Sequence, residues 1–333
     1  MKLSIENIDK DVENLFEYYR QTGFPNYNKS KYTLQKEIDK LINTPNCIDE
    51  KNKIIRQSMV GCGVLWTYFP HWIDVRCNDS PSVSDVWNDD EKLKALIRKT
   101  YLWKLRHNEL NWTDNRIRQN AKVYGAKQSV SNFRPTVARD IYNKFGTNNA
   151  KVLDMCSGFG GRLLGFAASH CAEYVGTDPS TKTYNGLIEL AADIKQILSD
   201  KKITIYNQPF EDLDVPKDYF DIAFTSPPYF NTEVYSNESN NSCNRYPTYK
   251  EWLYGFLKPM ISKAVLSVKP GGYIIINIAD VKNAPSLSKD CYKLMEQCSA
   301  NINIDMYYMA LSSIAGKGVK YEPVFIIKKR KSR

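Results

Sequence analysis

The sequence predicts an α/β protein built on a mostly parallel sheet, preceded by a mainly helical region. Three observations carry this. From Lys151 onward, short β-rich runs alternate with longer helical ones. A glycine-rich turn, Ser157-Gly158-Phe159-Gly160-Gly161, joins the first of those runs to the next helix. The last two β-rich runs are joined by a loop rather than a helix, which predicts an antiparallel final strand. With 333 residues, 42% of them hydrophobic, the chain has length for one large α/β domain and a smaller appended one.

The elements follow in order. Residues 12–20 and 31–42 are charged, helical segments separated by polar breaks, and Leu93, Leu96, Ile97 and Tyr101 recur at helical spacing. We divide the chain into an accessory region, residues 1–128, and a second domain, residues 129–333. In the second domain, residues 151–155, 174–177, 203–207 and 221–225 read as strands, and 162–169 and 184–198 as helices. Thr248 and Glu251 make a capping box ahead of a helix running towards Val268, with Pro259 expected to kink it. Residues 269–272 read as a turn, 273–278 as a buried strand and 286–300 as a helix; 303–311 and 322–329 form the final strand pair around a loop at 312–321.

Composition narrows the function classes. No stretch reaches the roughly 18 uncharged apolar residues a membrane span needs, and the first residues lack the apolar core of a secretory signal, so a cytoplasmic location is expected. The eight cysteines include no CxxC pair, which fits reduced thiols; Cys47, Cys62, His71 and Cys77 match no zinc spacing, and no metal is expected. Net charge is +9 and unevenly spread. Between Lys92 and Arg139 stand twelve basic residues against two acids, interleaved with Tyr101, Trp103, Trp112 and Tyr124. Cations neutralise phosphates and flat rings stack on bases, so this stretch suits a nucleic-acid surface; a solvated helix face with buried aromatics is the alternative. A second basic cluster, residues 328–333, ends the sequence.

The chemistry concentrates at four strand ends. After Asp154 and Cys156, the glycines at 158 and 160 let backbone approach a ligand, and the helix N-terminus beyond them presents N–H groups. A strict dinucleotide G-x-G-x-x-G starting at Gly158 fails, because Leu163 stands at its third glycine. The next strand ends in Asp178-Pro179, where a carboxylate can accept both hydroxyls of a ribose. The third leads into Phe210-Glu211-Asp212, where an adenine ring could lie beside Phe210 with an acid near its amino group. Directly after Ile222-Ala223-Phe224 comes Thr225-Ser226-Pro227-Pro228-Tyr229-Phe230. A polar acceptor, two rigid prolines and an aromatic ring at a strand end suit a planar amine whose nitrogen must be oriented.

This order of motifs, over residues 129–329, resembles the S-adenosylmethionine-dependent methyltransferases that modify exocyclic amines of DNA bases. The resemblance implies a Rossmann-like class I methyltransferase fold: a seven-stranded, mostly parallel sheet with an antiparallel last strand. It implies S-adenosylmethionine as cofactor, with Asp154, Cys156, Gly158, Gly160, Asp178, Pro179, Phe210, Glu211 and Thr225 near it. Phe133-Arg134-Pro135-Thr136 looks like the segment holding the methionine end, so Phe133, Arg134 and Thr136 join that set. Ser226, Pro227, Pro228 and Tyr229 take the catalytic positions. Double-stranded DNA is the implied partner, with RNA as the alternative, and a catalytically silent nucleic-acid-binding subunit is a further one.

In that scheme the Ser226 hydroxyl and the Pro227 carbonyl accept the amine N–H bonds, Tyr229 stacks on a base flipped from its helix, and Phe230 adds a second wall. The leading serine resembles the cytosine-N4 form of the tetrad and favours it slightly over adenine-N6. Carbon-5 chemistry needs a cysteine nucleophile, typically after proline, and no Pro-Cys pair occurs. The polar residues 231–248 read as a mobile loop over the flipped base, and the loop at 312–321 as a groove contact. A restriction-modification setting follows from the resemblance.

Overall fold

The computed structural model describes residues 2–29, 33–127, 130–298, 302–312 and 318–331. Chain contacts divide it into two compact units: residues 1–27, 70–131 and 233–236 in one, and 28–69, 132–232 and 237–333 in the other. The sequence division at residue 128 had assigned all of 28–69 to the accessory region. These residues instead group with the sheet, because they supply two strands to it and the helix Leu34–Asn43, whose Ile38 and Leu41 are fully buried.

The larger unit is an α/β structure on a nine-stranded sheet. Its strands are β1 (Ile48–Asp49), β2 (Ile54–Ile55), β4 (Lys151–Asp154), β5 (Glu173–Thr177), β6 (Lys202–Tyr206), β7 (Phe220–Thr225), β9 (Val268–Asn277), β10 (Ile302–Ser312) and β11 (Val319–Lys329). Two-residue strands β3 (Arg76–Cys77) and β8 (Glu233–Val234) pair antiparallel in the smaller unit. The order of the large sheet is β1-β2-β10-β11-β9-β7-β4-β5-β6. The expected seven strands are all present, β11 alone running against β9 and β10, and β1 and β2 extend the sheet beyond β10.

Helices cross over between successive parallel strands: Gly161–Ala167, Thr181–Ile197 and Leu287–Cys298. The central strands carry apolar runs, 152–153 in β4, 222–224 in β7 and 274–276 in β9, as a sheet covered on both faces requires; all eight residues are fully buried. From β4 the chain steps outward to β5 and β6, then returns to β7 on the other flank. The strand order therefore reverses between β4 and β7, and the carboxyl ends of these two strands are where such sheets place a ligand crevice. The glycine turn and the Ser226 segment follow these two parallel neighbours, so both lie at that one edge.

The capping box forms, with the Thr248 hydroxyl accepting from Glu251 N–H and the Glu251 carboxylate accepting from Thr248 N–H. Ahead of Pro259 the helix takes a π-turn, Leu253–Leu257, and the helical run continues to Ser267. One expectation is corrected locally. Residues 269–272 do not separate two elements; they form an excursion inside β9, where Phe220 pairs Val268 and Ile222 already pairs Tyr273. Gly271 supports it at φ +89°, which favours glycine.

The smaller unit packs the helices Ile8–Thr22 and Asp90–Arg106, with Leu93, Leu96, Ile97 and Tyr101 buried at the predicted spacing. Among the described residues, no helix is long and apolar enough to cross a membrane, and no three His, Cys, Asp or Glu side chains gather as metal ligands.

Candidate active site

The glycine turn is tied down from both sides. Ser157 N–H donates to Thr177 O (2.8 Å), and the Thr177 hydroxyl donates to Met155 O (2.9 Å), locking the end of β4 to the end of β5. Gly158 (φ +54°) and Gly160 (φ +71°) both sit in the left-handed region. Their surroundings differ: a Cβ on Gly160 would meet Leu190 at 2.7 Å, whereas one on Gly158 would meet only Cys156 O at 3.9 Å. Gly160 is thus a packing glycine, and Gly158 faces open space. Asn132 Nδ2 donates to Phe159 O (2.7 Å), and a Cβ on Gly161 would overlap the Phe133 carbonyl.

Asp154 is fully buried and occupied by the protein itself. Its carboxylate accepts from Arg162 Nε (2.9 Å) and the Tyr174 hydroxyl (2.6 Å), and Arg162 also donates to Cys156 O. It therefore braces the turn from beneath. Arg162, alone among apolar neighbours on its helix, is the partner that sequence reasoning missed.

Asp178 ends β5 beside this turn. Its carboxylate accepts from Gly158 N–H (3.0 Å) and Ser180 N–H (3.0 Å). Burial pushes its pKa up to about 7, against the pull of those two donors, with the nearby Asp154 adding to the rise. Asn207 Nδ2 donates to the carbonyls of Asp178 and Pro179 (3.1 and 3.2 Å), fixing the loop from β6.

Phe210 does not line the crevice. It is 1% exposed and belongs to the core under the helical run 249–267, so a ring cannot stack on it. Glu211 remains at the site: one carboxylate oxygen lies 3.4 Å from Arg245, and the other, Oε2, is buried without a well-formed hydrogen bond, the Tyr246 side chain lying near the carboxylate. Burial raises its pKa. Ser180 Oγ and Thr136 Oγ1 are buried with no hydrogen-bond partner among the described residues. The Thr225 hydroxyl lies beside the Cys156 thiol without a well-formed hydrogen bond to it, and burial drives that thiol far above its usual range. Arg134 donates to Asn132 O (2.7 Å), and Phe133 packs edge-on against Phe224 (5.4 Å), so both shape the entrance loop from within.

At the end of β7, Pro227 is buried while Ser226, Pro228 and Tyr229 are half-buried. Ser226 Oγ donates to Asn277 Oδ1 (3.4 Å), and the Tyr229 hydroxyl lies 3.3 Å from both Asn277 Oδ1 and Glu322 Oε2. Asn277 ends β9, and Glu322 sits on β11. Neither was anticipated, although an amide inside Ile274-Ile275-Ile276-Asn277-Ile278 is a visible anomaly. Phe230 is corrected: it is 6% exposed and packs on Tyr249 (5.5 Å) and Trp252 (6.0 Å), so it is no second wall. Its φ of +56° is strained for an aromatic residue and is held by that burial.

The expected loop over residues 231–248 is broken into short elements. Residues 233–234 form β8, and Ser242–Arg245 is a helical turn. Within the larger unit, Glu238 accepts from Thr181 N–H (3.1 Å) and its hydroxyl, Asn240 Nδ2 donates to Pro179 O (3.0 Å), and Arg245 pairs with Asp212 (2.6 Å). This segment braces both the Asp178 and the Glu211 loops. Of the expected loop at 312–321, residues 313–317 lie outside the described residues, while 312 ends β10 and 319–321 open β11.

Half of the basic stretch is spent on pairing within the protein, and three of its cations (Lys104, Arg118, Arg139) are buried. Six of its twelve cations (Lys92, Lys94, Arg98, Lys104, Arg116, Arg139) form ion pairs with acids. Tyr101 is fully buried, Trp112 donates to the Tyr19 hydroxyl (2.8 Å), and the Trp103 ring is covered by His107 (3.8 Å) and the Arg116 guanidinium (3.7 Å). These aromatics are not presented for base stacking. At the other end, Lys329 Nζ turns inward to Asp218 (2.7 Å) and the carbonyls of Val265 and Val268.

No protein-family model matches the chain, and no curated protein matches it. Among solved structures, it is similar to an rRNA methylase from Streptococcus thermophilus: 13% identity and a TM-score of 0.40, over 61% of this chain and 100% of that one. It is also similar to SAM-dependent methyltransferases from Methanosarcina mazei, at 16% identity and a TM-score of 0.40, over 58% of this chain and 98% of that one. A third is magnesium protoporphyrin IX methyltransferase from Synechocystis PCC 6803 with bound SAM, at 15% identity and a TM-score of 0.38, over 54% and 70%. At scores this low the likeness carries no functional inference, and the case for this chain rests on its own residues.

Proposed function

We propose that this protein is an S-adenosylmethionine-dependent methyltransferase acting on the exocyclic amine of a DNA base, cytosine N4 ahead of adenine N6. The single observation that carries the reading is the shared carboxyl edge of β4 and β7, where the Asp178 and glycine-turn loops adjoin the Ser226-Pro227-Pro228-Tyr229 segment.

The residues present fit the cofactor. Asp178 carries a carboxylate able to accept two ribose hydroxyls. Gly158 leaves room for close approach, and the buried Oε2 of Glu211 is an acceptor suited to the adenine amino group. Ser180 Oγ and Thr136 Oγ1 add unpartnered polar groups on the flanking loops. When bound, S-adenosylmethionine supplies a methyl group made electrophilic by its sulfonium.

The chain's own work is orientation. An aromatic exocyclic amine is a weak nucleophile because its lone pair is delocalised into the ring. Ser226 Oγ and the Pro227 carbonyl accept its two N–H bonds and turn the lone pair towards the methyl group, stabilising the tetrahedral nitrogen that develops. Tyr229 supplies a flat face for the base, and the two prolines hold the turn without adding competing donors.

The basic stretch lends less support than its composition suggests, since half its cations are already paired. Duplex DNA remains the leading substrate on the strength of the tetrad. The test is a labelled-methyl assay offering duplex DNA and total RNA in parallel. Label in N4-methylcytosine or N6-methyladenine of DNA is the expected result; label confined to RNA, to protein or to neither would overturn the reading.

A further inference from the structure

Resting on that functional reading, we infer that Asn277 and Glu322 are positioning residues of the tetrad, and that Asn277 makes Ser226 an acceptor towards the substrate amine. The amide orientation is set from behind: Asn277 Nδ2 donates to Pro323 O at 3.0 Å, which leaves Oδ1 directed at Ser226 and Tyr229. An amide oxygen only accepts, so the proton of the Ser226 hydroxyl points to Asn277.

Both lone pairs of Ser226 Oγ are then left for the amine N–H. Without Asn277 the hydroxyl rotates freely and can donate its proton to the amine lone pair, the same lone pair that must attack the methyl group. A serine in this tetrad thus depends on a second residue to fix its polarity, which a carboxylate in its place would not.

Glu322 does the corresponding work for the ring. Its Oε2 lies 3.3 Å from the Tyr229 hydroxyl, and its side chain is only 12% exposed, which fixes the plane of the tyrosine that faces the base. Strand register makes the cluster possible. Thr225 pairs Ile276, so Ser226 and Asn277 follow as neighbours where β7 and β9 end, and Asn277 in turn pairs Val324 on β11, two positions beyond Glu322.

A double-mutant cycle tests this. Asn277→Ala in the otherwise unchanged protein should lower kcat about ten- to hundredfold with KM for DNA and cofactor affinity nearly unchanged. In a Ser226→Ala background the same change should cost less than about threefold, because the hydroxyl it orients is gone. Losses that multiply independently would overturn the proposal, since a general packing defect acts in either background. If Asn277→Ala does not fold, Glu322→Ala crossed with Tyr229→Phe decides instead. The glutamate change should matter with tyrosine and not with phenylalanine, and equal losses in both backgrounds would refute it. Wild-type protein that methylates no nucleobase amine would remove the functional reading itself, an outcome visible before any variant is made.

Discussion

Replacing Asp178 with alanine removes the carboxylate that ends β5 beside the glycine turn. Each hydroxyl donated to a carboxylate contributes about 1.5–3 kcal/mol. Two such bonds, less what solvent returns to an emptied site, make a net loss of about 2–4 kcal/mol, so Kd for S-adenosylhomocysteine should weaken roughly 30- to 1,000-fold.

The pH dependence is sharper still. Burial raises Asp178 to about 7, and only its ionised form accepts two hydroxyl donors. Affinity should therefore rise about tenfold per pH unit up to about pH 7 and level off above it, with protons released on binding below that point. Asp178→Asn should flatten the profile. Isothermal calorimetry from about pH 5.5 to about 8.5, in buffers of different ionisation enthalpy, reads affinity and proton release together. Unchanged affinity in Asp178→Ala, or a wild-type affinity indifferent to pH, would refute the ribose assignment.

Other outcomes follow from the same geometry. Ser226→Ala should lower turnover about a hundredfold while calorimetry finds cofactor affinity near normal; unaltered turnover would remove its catalytic role. Arg162→Met strands the buried Asp154 carboxylate and should cost about 3–5 kcal/mol in chemical denaturation, part of which Asp154→Asn should restore. Gly161→Ala drives a methyl group into the Phe133 carbonyl and towards Asn132 Oδ1, 2.7 Å away, and should lower stability by about 1–3 kcal/mol, seen as a lower Tm. Trp103→Ala should leave DNA affinity in gel shifts within about threefold of wild type. A much larger loss would mean that its ring meets bases after all.

The elements of the sheet were legible because they rest on local signals. Alternating periodicity from Lys151, the glycine turn and the Thr248–Glu251 capping box each fix conformation within a few residues. The reversed β11 followed from a loop, rather than a helix, joining the last two runs. Partners distant in sequence were not legible. Glu322 stands 93 positions from Tyr229, and nothing in its neighbours marks it. Phe210 and Phe230 were misread for a related reason: an aromatic beside a motif looks like a ligand wall until the depth of the core beneath it is known. Likewise, acids as far away as Asp9 and Glu13 neutralise Arg98 and Lys94 in a stretch that looked bare when read alone.

The most direct test of the central claim is a crystal structure with S-adenosylhomocysteine bound. The ribose hydroxyls should meet Asp178, the adenine amino group Glu211, and the sulfur should point across the β4–β7 edge towards Ser226. Ligand bound elsewhere in the fold, or seated at Asp178 with its sulfur turned away from Ser226, would contradict the account.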